Sequence, residues 1–157
     1  IGHECGHIQN SHVVYLTALH FLTRMAGAFV AWIVEPATMA LRAWSRRAEI
    51  TCDRAGMLCV KDENVATRAL AKLIVGSNDL FKEFNMDAFL EQYEEAKDGA
   101  GKFLEAFATH PYLTKRVLAM RTFAQSELYK KAASLGEGGL SMQEVDERVL
   151  ALLKGDA

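Results

Sequence analysis

The segment His3-Glu4-Cys5-Gly6-His7 lies at the start of the chain. If it is helical, the two histidines share one face and can offer ring nitrogens to the same metal ion. Glu4 can then project beside that ion and take a proton from a bound water. Zinc suits this donor set, because it accepts nitrogen ligands and keeps a position open for water. The alternative is coincidence on a surface helix.

A third protein ligand is needed, because two histidines and a water do not fill a tetrahedral zinc site. Glu49 is the candidate, and Asp53, one helical turn further on, can accept a hydrogen bond from a ligand histidine. The alternative is an ordinary acidic helix face that pairs locally with Arg46, Arg47 or Arg54. Alone, a glutamate and an aspartate four residues apart are weak evidence for a metal site. They become strong evidence when they lie on the helix that follows a histidine pair of this spacing.

The remaining polar residues of the first segment are expected to have structural roles. His12 lies five residues after His7 and is therefore expected to point in a different direction. Like His20, it is predicted to be solvated or to pack between helices. Cys5 faces away from the metal and is predicted to be a small core residue.

A third region of interest is Thr109-His110-Pro111, with Arg116 five residues beyond the proline. A histidine at a helix break and a following arginine can direct two donors into a cleft, where they stabilise an oxyanion. In the alternative interpretation, His110 caps a helix and Arg116 forms a structural ion pair. The residues alone favour this second interpretation.

The pattern predicts an all-α fold, because no alternating run indicates a strand. Ser141 and Glu144 form a capping box that opens the last helix, whose predicted apolar face is Val145, Val149, Leu152 and Leu153. The helix near residues 64–75 is predicted to bury Val65, Ala69, Leu70, Leu73 and Ile74. The predicted helical stretches are 1–34 (ended by Glu35-Pro36), 37–60, 64–75, 78–84, 87–97, 102–108 and 113–135.

The proposed site constrains the path of the chain. The 27 residues from His7 to Val34 would span about 40 Å as a helix, whereas the 14 from Glu35 to Glu49 would span about 21 Å. A straight hairpin would leave Glu49 far from the histidines. We therefore expect a bend near Gly27, or a loop within residues 25–40.

Residues 13–34 form an apolar stretch, with 17 apolar residues among 22. The length suits a bilayer span, but Arg24 inside it would cost about 2.5–3.5 kcal/mol at the membrane centre. A buried or partner-covered helix and membrane contact, by insertion or at the interface, both remain open. An exposed apolar region is predicted around Phe29, Trp32, Ile33, Met39 and Trp44.

Composition limits the class of protein. The chain has 157 residues, of which 50% are hydrophobic, and a formal net charge of −2, which argues against a nucleic-acid partner. Three cysteines without zinc-ribbon spacing favour a reducing compartment over a disulfide scaffold. Because the sequence starts at Ile1, we expect it to be a piece of a longer protein.

Together, the histidine pair, the segment Glu49 to Asp53 and the Thr109-His110-Pro111 region resemble the HtpX and CAAX prenyl protease family of HExxH metallopeptidases, the gluzincins. The resemblance implies a zinc endopeptidase with His3, His7 and Glu49 as ligands. Glu4 would be the general base, and Asp53 would have a supporting role. His110 and Arg116 would face the substrate or the transition state.

The resemblance covers about residues 1–125 of one predicted domain, 1–157, and leaves 126–157 as C-terminal helices. Family members carry further helices and an edge strand before the histidine pair, and this sequence does not include them. We therefore expect a zincin-like, all-α catalytic part without its upstream strand.

The predicted function is membrane-associated protein processing or quality control by zinc-dependent cleavage of peptide or protein substrates. The catalytic side is predicted to be cytoplasmic, with possible membrane contact through residues 13–44 and possible oligomerisation. Two other functions remain open: a catalytically silent zinc-site scaffold, and a helical membrane or oligomerisation module.

Overall fold

The computed structural model describes residues 1–25, 28–75, 78–95 and 113–154. These residues form nine helices and no extended strand, so the predicted all-α class is confirmed. The helices are α1 (Gly2–Gln9), α2 (His12–Met25), α3 (Ala28–Val60), α4 (Glu63–Val75), α5 (Asn78–Glu83), α6 (Met86–Glu95), α7 (Leu113–Ala124), α8 (Glu127–Ala132) and α9 (Met142–Lys154).

The long helix α3 organises the fold. It contacts α1, α2, α4 and α7. The apolar core lies where α3, α4, α7 and α9 meet. Its largest fully buried side chains are Met57, Val117, Phe123, Tyr129 and Val145.

The prediction that Pro36 ends a helix is wrong, because α3 continues through it. Proline removes one N–H, which leaves the carbonyl of Trp32 without its helical partner. Pro36 and Trp32 both lie on the exposed side of α3, where water can satisfy that carbonyl. Gly27, near which a bend was expected, lies outside the described residues.

A turn separates α1 from α2, where the sequence predicted continuous helix to residue 34. Ser11 adopts a φ of 54°, a left-handed conformation that a helix interior does not accommodate. The Asn10 side chain donates a hydrogen bond of 2.9 Å to the Gly6 carbonyl and so satisfies the end of α1. This turn redirects α2 and the histidine that begins it.

The predicted helix 113–135 is also divided, into α7 and α8. The Ser126 hydroxyl accepts a hydrogen bond of 3.1 Å from the Tyr129 N–H and thereby caps α8. The Glu127 N–H donates to the Leu140 carbonyl at 3.0 Å, which fixes the turn against the following loop. These two contacts interrupt a helix that local pattern alone would continue.

The predicted capping box at the start of α9 is confirmed. The Glu144 N–H donates to the Ser141 hydroxyl at 3.2 Å, and the Ser141 N–H donates to the Glu144 carboxylate at 2.8 Å. The predicted apolar face is confirmed as well. Val145, Val149 and Leu152 are buried and Leu153 is partly buried.

The predicted apolar stripe of α4 is partly wrong. Leu70 is buried as expected, but Val65 and Leu73 are 53% and 80% exposed, and Ala66 and Ala71 are buried instead. Helix α4 is oriented so that Leu70 and Leu73 line a cleft to which α1, α3 and α7 also contribute. The short helices α5 and α6 and the end of α3 lie close to their predicted positions.

Two further predictions concern the apolar arm and the region before α7. Among the described helices, none is long and apolar enough to cross a membrane. Trp32 is nonetheless 74% exposed, and Phe21, Ile33 and Met39 are also exposed, so these side chains are not buried within the chain. The predicted helix 102–108 and the Thr109-His110-Pro111 break lie outside the described residues.

Candidate metal centre

The close approach of α1 to α3 brings the two predicted halves of the site together. Gly6 is buried against α3, and a Cβ there would lie 3.1 Å from the Cα and Sγ atoms of Cys52. A Cβ at Gly2 would lie 2.8 Å from the Cys59 Sγ atom. Glycines at these two positions therefore allow the α1 backbone to lie directly on α3. The histidines of α1 are thereby held beside the acidic residues of α3.

Nitrogen and oxygen donors of three residues converge at this contact. The Nε2 atoms of His3 and His7 lie 3.2 Å apart, and Glu49 oxygens lie 3.6 Å from the first and 3.5 Å from the second. Donor atoms about 2.0–2.1 Å from a tetrahedral metal ion lie about 3.3–3.4 Å from one another. The observed separations fit such an ion.

Asp53 lies behind His3, on the side away from His7. The His3 Nδ1 atom and an Asp53 carboxylate oxygen are 3.0 Å apart, a hydrogen-bonding distance. With its proton on Nδ1, the imidazole leaves Nε2 free to bind a metal. The hydrogen bond to Asp53, opposed by burial, raises the pKa of His3 above its ordinary value. Metal binding at low pH must therefore displace a proton from this ring.

Arg116 reaches the same carboxylates from α7. Its Nε and Nη2 atoms each donate a hydrogen bond of 2.7 Å to Asp53, and its Nη1 atom lies 3.2 Å from Glu49. Burial lowers the pKa of Arg116, but the Asp53 hydrogen bond and the two negative charges outweigh it and raise the pKa overall. The guanidinium is thus held by structural ion pairs and also lines the cleft.

The buried charges favour a bound cation. Glu49, Asp53 and Arg116 are each less than a tenth exposed. Among these three residues, two carboxylates lie beside one guanidinium. Carboxylates close to two imidazoles are groups that a divalent ion can bind.

His12 is the site residue that the sequence reasoning missed. It is buried rather than solvated, and its Nδ1 atom lies 3.2 Å from the Nδ1 atom of His7. Regular helical geometry, on which the prediction rested, places residues five apart on different faces, but the turn at Ser11 breaks that geometry. Burial, followed by the nearby His7, lowers the pKa of His12 and so favours its neutral form.

Cys52 offers a sulfur atom near the same centre. One ligand atom from each of His3, His7 and Cys52 lies within 4.8 Å of the others. Burial raises the pKa of the Cys52 thiol to about 12, which disfavours the thiolate that binds metals. Glu49 is therefore the better third ligand.

A cleft of about 400 Å³ opens beside the centre. Exposed Glu4 lies on its wall together with His3, Glu49 and Arg116. Its other walls are mostly apolar and come from α3, α4 and α7, with Met57, Val60, Ala66, Ala69, Leu70, Leu73 and Met120. The cleft therefore combines a carboxylate, a candidate metal position and mostly apolar walls. His110 lies outside the described residues.

Two helical histidines that face a buried glutamate from a second helix define a metallopeptidase-type centre. Peptidase family M48 matches the chain over residues 1–124. The chain is also 32% identical over 156 residues to the plastoglobule-localized metallopeptidase 48, chloroplastic, of Arabidopsis thaliana. This chain belongs to peptidase family M48, which confirms the resemblance drawn from its motifs.

The chain matches only part of the Arabidopsis relative. The alignment covers 92% of this chain and 45% of the Arabidopsis relative, so the chain spans less than half of that protein. No solved structure matches the chain. M48 peptidases are metal-dependent, commonly on zinc.

Proposed function

We propose that the protein is a zinc-dependent endopeptidase in which His3, His7 and Glu49 hold the metal. The observation that carries the proposal is the convergence of donor groups from three residues, with atoms 3.2–3.6 Å apart, a spacing suited to a tetrahedral ion. Two of these donors come from α1 and one from α3. The burial of the Glu49 carboxylate beside both histidines supports the same assignment.

Zinc, when bound, acts as a Lewis acid toward a peptide carbonyl and makes a water molecule acidic. Glu4 is the candidate base, because its exposed carboxylate lines the cleft next to His3. It takes the proton from the attacking water and passes it to the leaving amine. The apolar walls of the cleft suit the side chains of an extended peptide.

The surrounding residues hold the ligands in place. Asp53 accepts the His3 Nδ1 hydrogen and fixes the orientation of that ring. Arg116 anchors Asp53 and Glu49, so it also fixes the third ligand. We assign His110, with Arg116, to stabilisation of the oxyanion, on the resemblance to the family.

The first test is metal content of the purified chain, measured by elemental mass spectrometry. We expect one zinc per chain, and weaker retention in Glu49→Ala. Glu35→Ala is a matched control, because Glu35 lies on the exposed surface of the same helix. A chain that takes up no zinc on reconstitution, or a Glu49→Ala variant that retains zinc like wild type, would contradict the ligand assignment.

The second test separates metal binding from catalysis in the full-length protein. Glu4→Gln should keep the zinc and lose peptide cleavage by about 10²–10⁴-fold, the usual contribution of a general base. Cleavage at the wild-type rate in this variant would exclude Glu4 as the base. Zinc binding without any peptide cleavage, even in wild type, would favour the silent-scaffold function.

We also propose that the protein contacts a membrane surface through the α2–α3 arm, with its catalytic side in the cytoplasm. The support is the exposed apolar side chains Phe21, Trp32 and Ile33 on these two helices. Sedimentation with phosphatidylcholine vesicles should fall when Phe21 and Trp32 are replaced by serine. Equal sedimentation of the double variant and wild type would contradict the contact.

A further inference from the structure

The two ligand histidines use their ring nitrogens in the same way. The Nε2 atom of His7 faces His3 and Glu49, while its Nδ1 atom faces His12. His3 likewise directs Nε2 toward Glu49 and Nδ1 toward Asp53. Each ligand therefore has a partner behind it, which is a carboxylate for His3 and an imidazole for His7.

The hydrogen between His7 and His12 can be assigned by chemistry. A neutral imidazole carries one N–H, so a ring that offers Nε2 to a metal keeps its hydrogen on Nδ1. The His7 Nδ1–H then donates to the Nδ1 atom of His12 across 3.2 Å. His12 must accept with that atom and carry its own hydrogen on Nε2.

Two further contacts surround the His12 ring. The Cys52 Sγ atom lies 3.5 Å from its Nδ1 atom. The ring of Trp44 lies perpendicular to that of His12, with centroids 5.1 Å apart. His12 is 6% exposed, so these contacts hold the ring in one orientation.

His12 is a neighbour of the metal ligands rather than a ligand itself. Its Nδ1 atom meets the rear nitrogen of His7, not the Nε2 atom that faces Glu49. The contact therefore acts on the orientation and tautomer of His7. It adds no donor to the group formed by His3, His7 and Glu49.

From this arrangement we propose that His12 is a positioning residue, which accepts the Nδ1 hydrogen of His7 and fixes its Nε2 atom toward the metal. The inference rests on the proposed zinc centre. It gives the two ligand histidines different hydrogen-bond acceptors. His3 donates to the anionic Asp53, and His7 donates to the neutral His12. A neutral acceptor leaves more positive charge at the centre than a second carboxylate would.

Three variants of the full chain test the proposal through zinc affinity, measured by competition with a chromophoric chelator. His12→Phe keeps a ring beside Trp44 but has no acceptor, and it should lower the affinity by about 10–100-fold. His12→Asn places an amide oxygen near the position of Nδ1 and should restore most of the loss. His20→Phe is the control, because His20 is exposed on the same helix and should not change the affinity.

A measurement on the wild-type chain avoids dependence on a variant that fails to fold. Long-range ¹H–¹⁵N correlation spectra of the zinc-loaded chain should show a protonated Nδ1 on His7 and an unprotonated Nδ1 on His12. A proton on the His12 Nδ1 atom would overturn the proposal. Wild-type zinc affinity in a folded His12→Phe variant would overturn it too.

Failure of this inference can be distinguished from failure of the zinc centre. If wild type binds no zinc, the proposed centre is wrong, and this inference falls with it. If wild type and His12→Phe bind zinc equally and Glu49→Ala binds weakly, the centre stands and only the role of His12 is wrong.

Discussion

Arg116 and Asp53 form a buried two-pronged ion pair, with two hydrogen bonds of 2.7 Å between residues 63 positions apart in the sequence. The same Asp53 carboxylate accepts the hydrogen bond from His3. A residue of α7 is thereby connected through α3 to a candidate metal ligand on α1. The bond to α7 restricts the position of Asp53 and hence the orientation of the His3 ring.

Removal of Arg116 should destabilise the fold strongly. Arg116→Leu leaves the Asp53 carboxylate buried without its counter-ion, which typically costs about 3–5 kcal/mol. We expect a lower free energy of unfolding, measured by chemical denaturation. The double variant Arg116→Leu with Asp53→Asn should recover part of it, because the uncompensated charge is gone. Similar stabilities for Arg116→Leu and wild type would contradict a buried charge pair.

A methyl group at Gly6 should separate α1 from α3. The added Cβ would lie 3.1 Å from two Cys52 atoms, so Gly6→Ala should cost about 1–3 kcal/mol of stability. It should weaken zinc binding as well, because the histidines would move away from Glu49. Gly56→Ala is the matched control, since its Cβ would have no neighbour nearer than 3.7 Å. If both variants bind zinc like wild type, the close helix contact does not position the site.

Substitution of Pro36 should stabilise the chain. Pro36→Ala restores an N–H that can donate to the Trp32 carbonyl, and proline costs a helix interior up to about 3 kcal/mol relative to alanine. The free energy of unfolding should rise in urea titrations. The control is Ala37→Ser, a substitution at the adjacent exposed position. A less stable Pro36→Ala variant would show that the proline is required for the path of α3.

The capping box should make stability depend on pH. The Ser141 backbone N–H, followed by its hydroxyl, lowers the pKa of Glu144 below its ordinary value of 4.5. The ionised carboxylate thus favours the folded state, and this contribution is present above pH 4.5 and lost as the pH falls through the lowered pKa. Glu144→Gln should therefore reduce the melting temperature at pH 7 and make little difference in acid.

The control for that experiment is Glu137→Gln, in the exposed loop before α9. It removes one carboxylate without removing the reciprocal hydrogen bonds of the cap. A melting-temperature difference between Glu144→Gln and wild type that stays constant from neutral to acid pH would exclude the charge of Glu144 as the cause.

Much of the helical structure followed from local pattern. The end of α3, the start of α4, the capping box and the apolar face of α9 depend on residues a few positions apart. The divisions at Ser11 and Ser126 could not be predicted in this way. Ser126 caps α8 while its backbone neighbours bond to Leu140, and such a contact depends on a distant part of the chain.

The sequence by itself determined the helical class and the family, and it indicated the candidate donors, because the spacing of His3 and His7 places them on one helical face. Only the tertiary structure decided which groups contact those donors on the side away from the candidate metal position. Arg116 reaches Asp53 by the packing of α7 on α3, and His12 reaches His7 through a left-handed turn. Helical periodicity describes neighbours within one helix, whereas contacts between helices depend on how the whole chain packs.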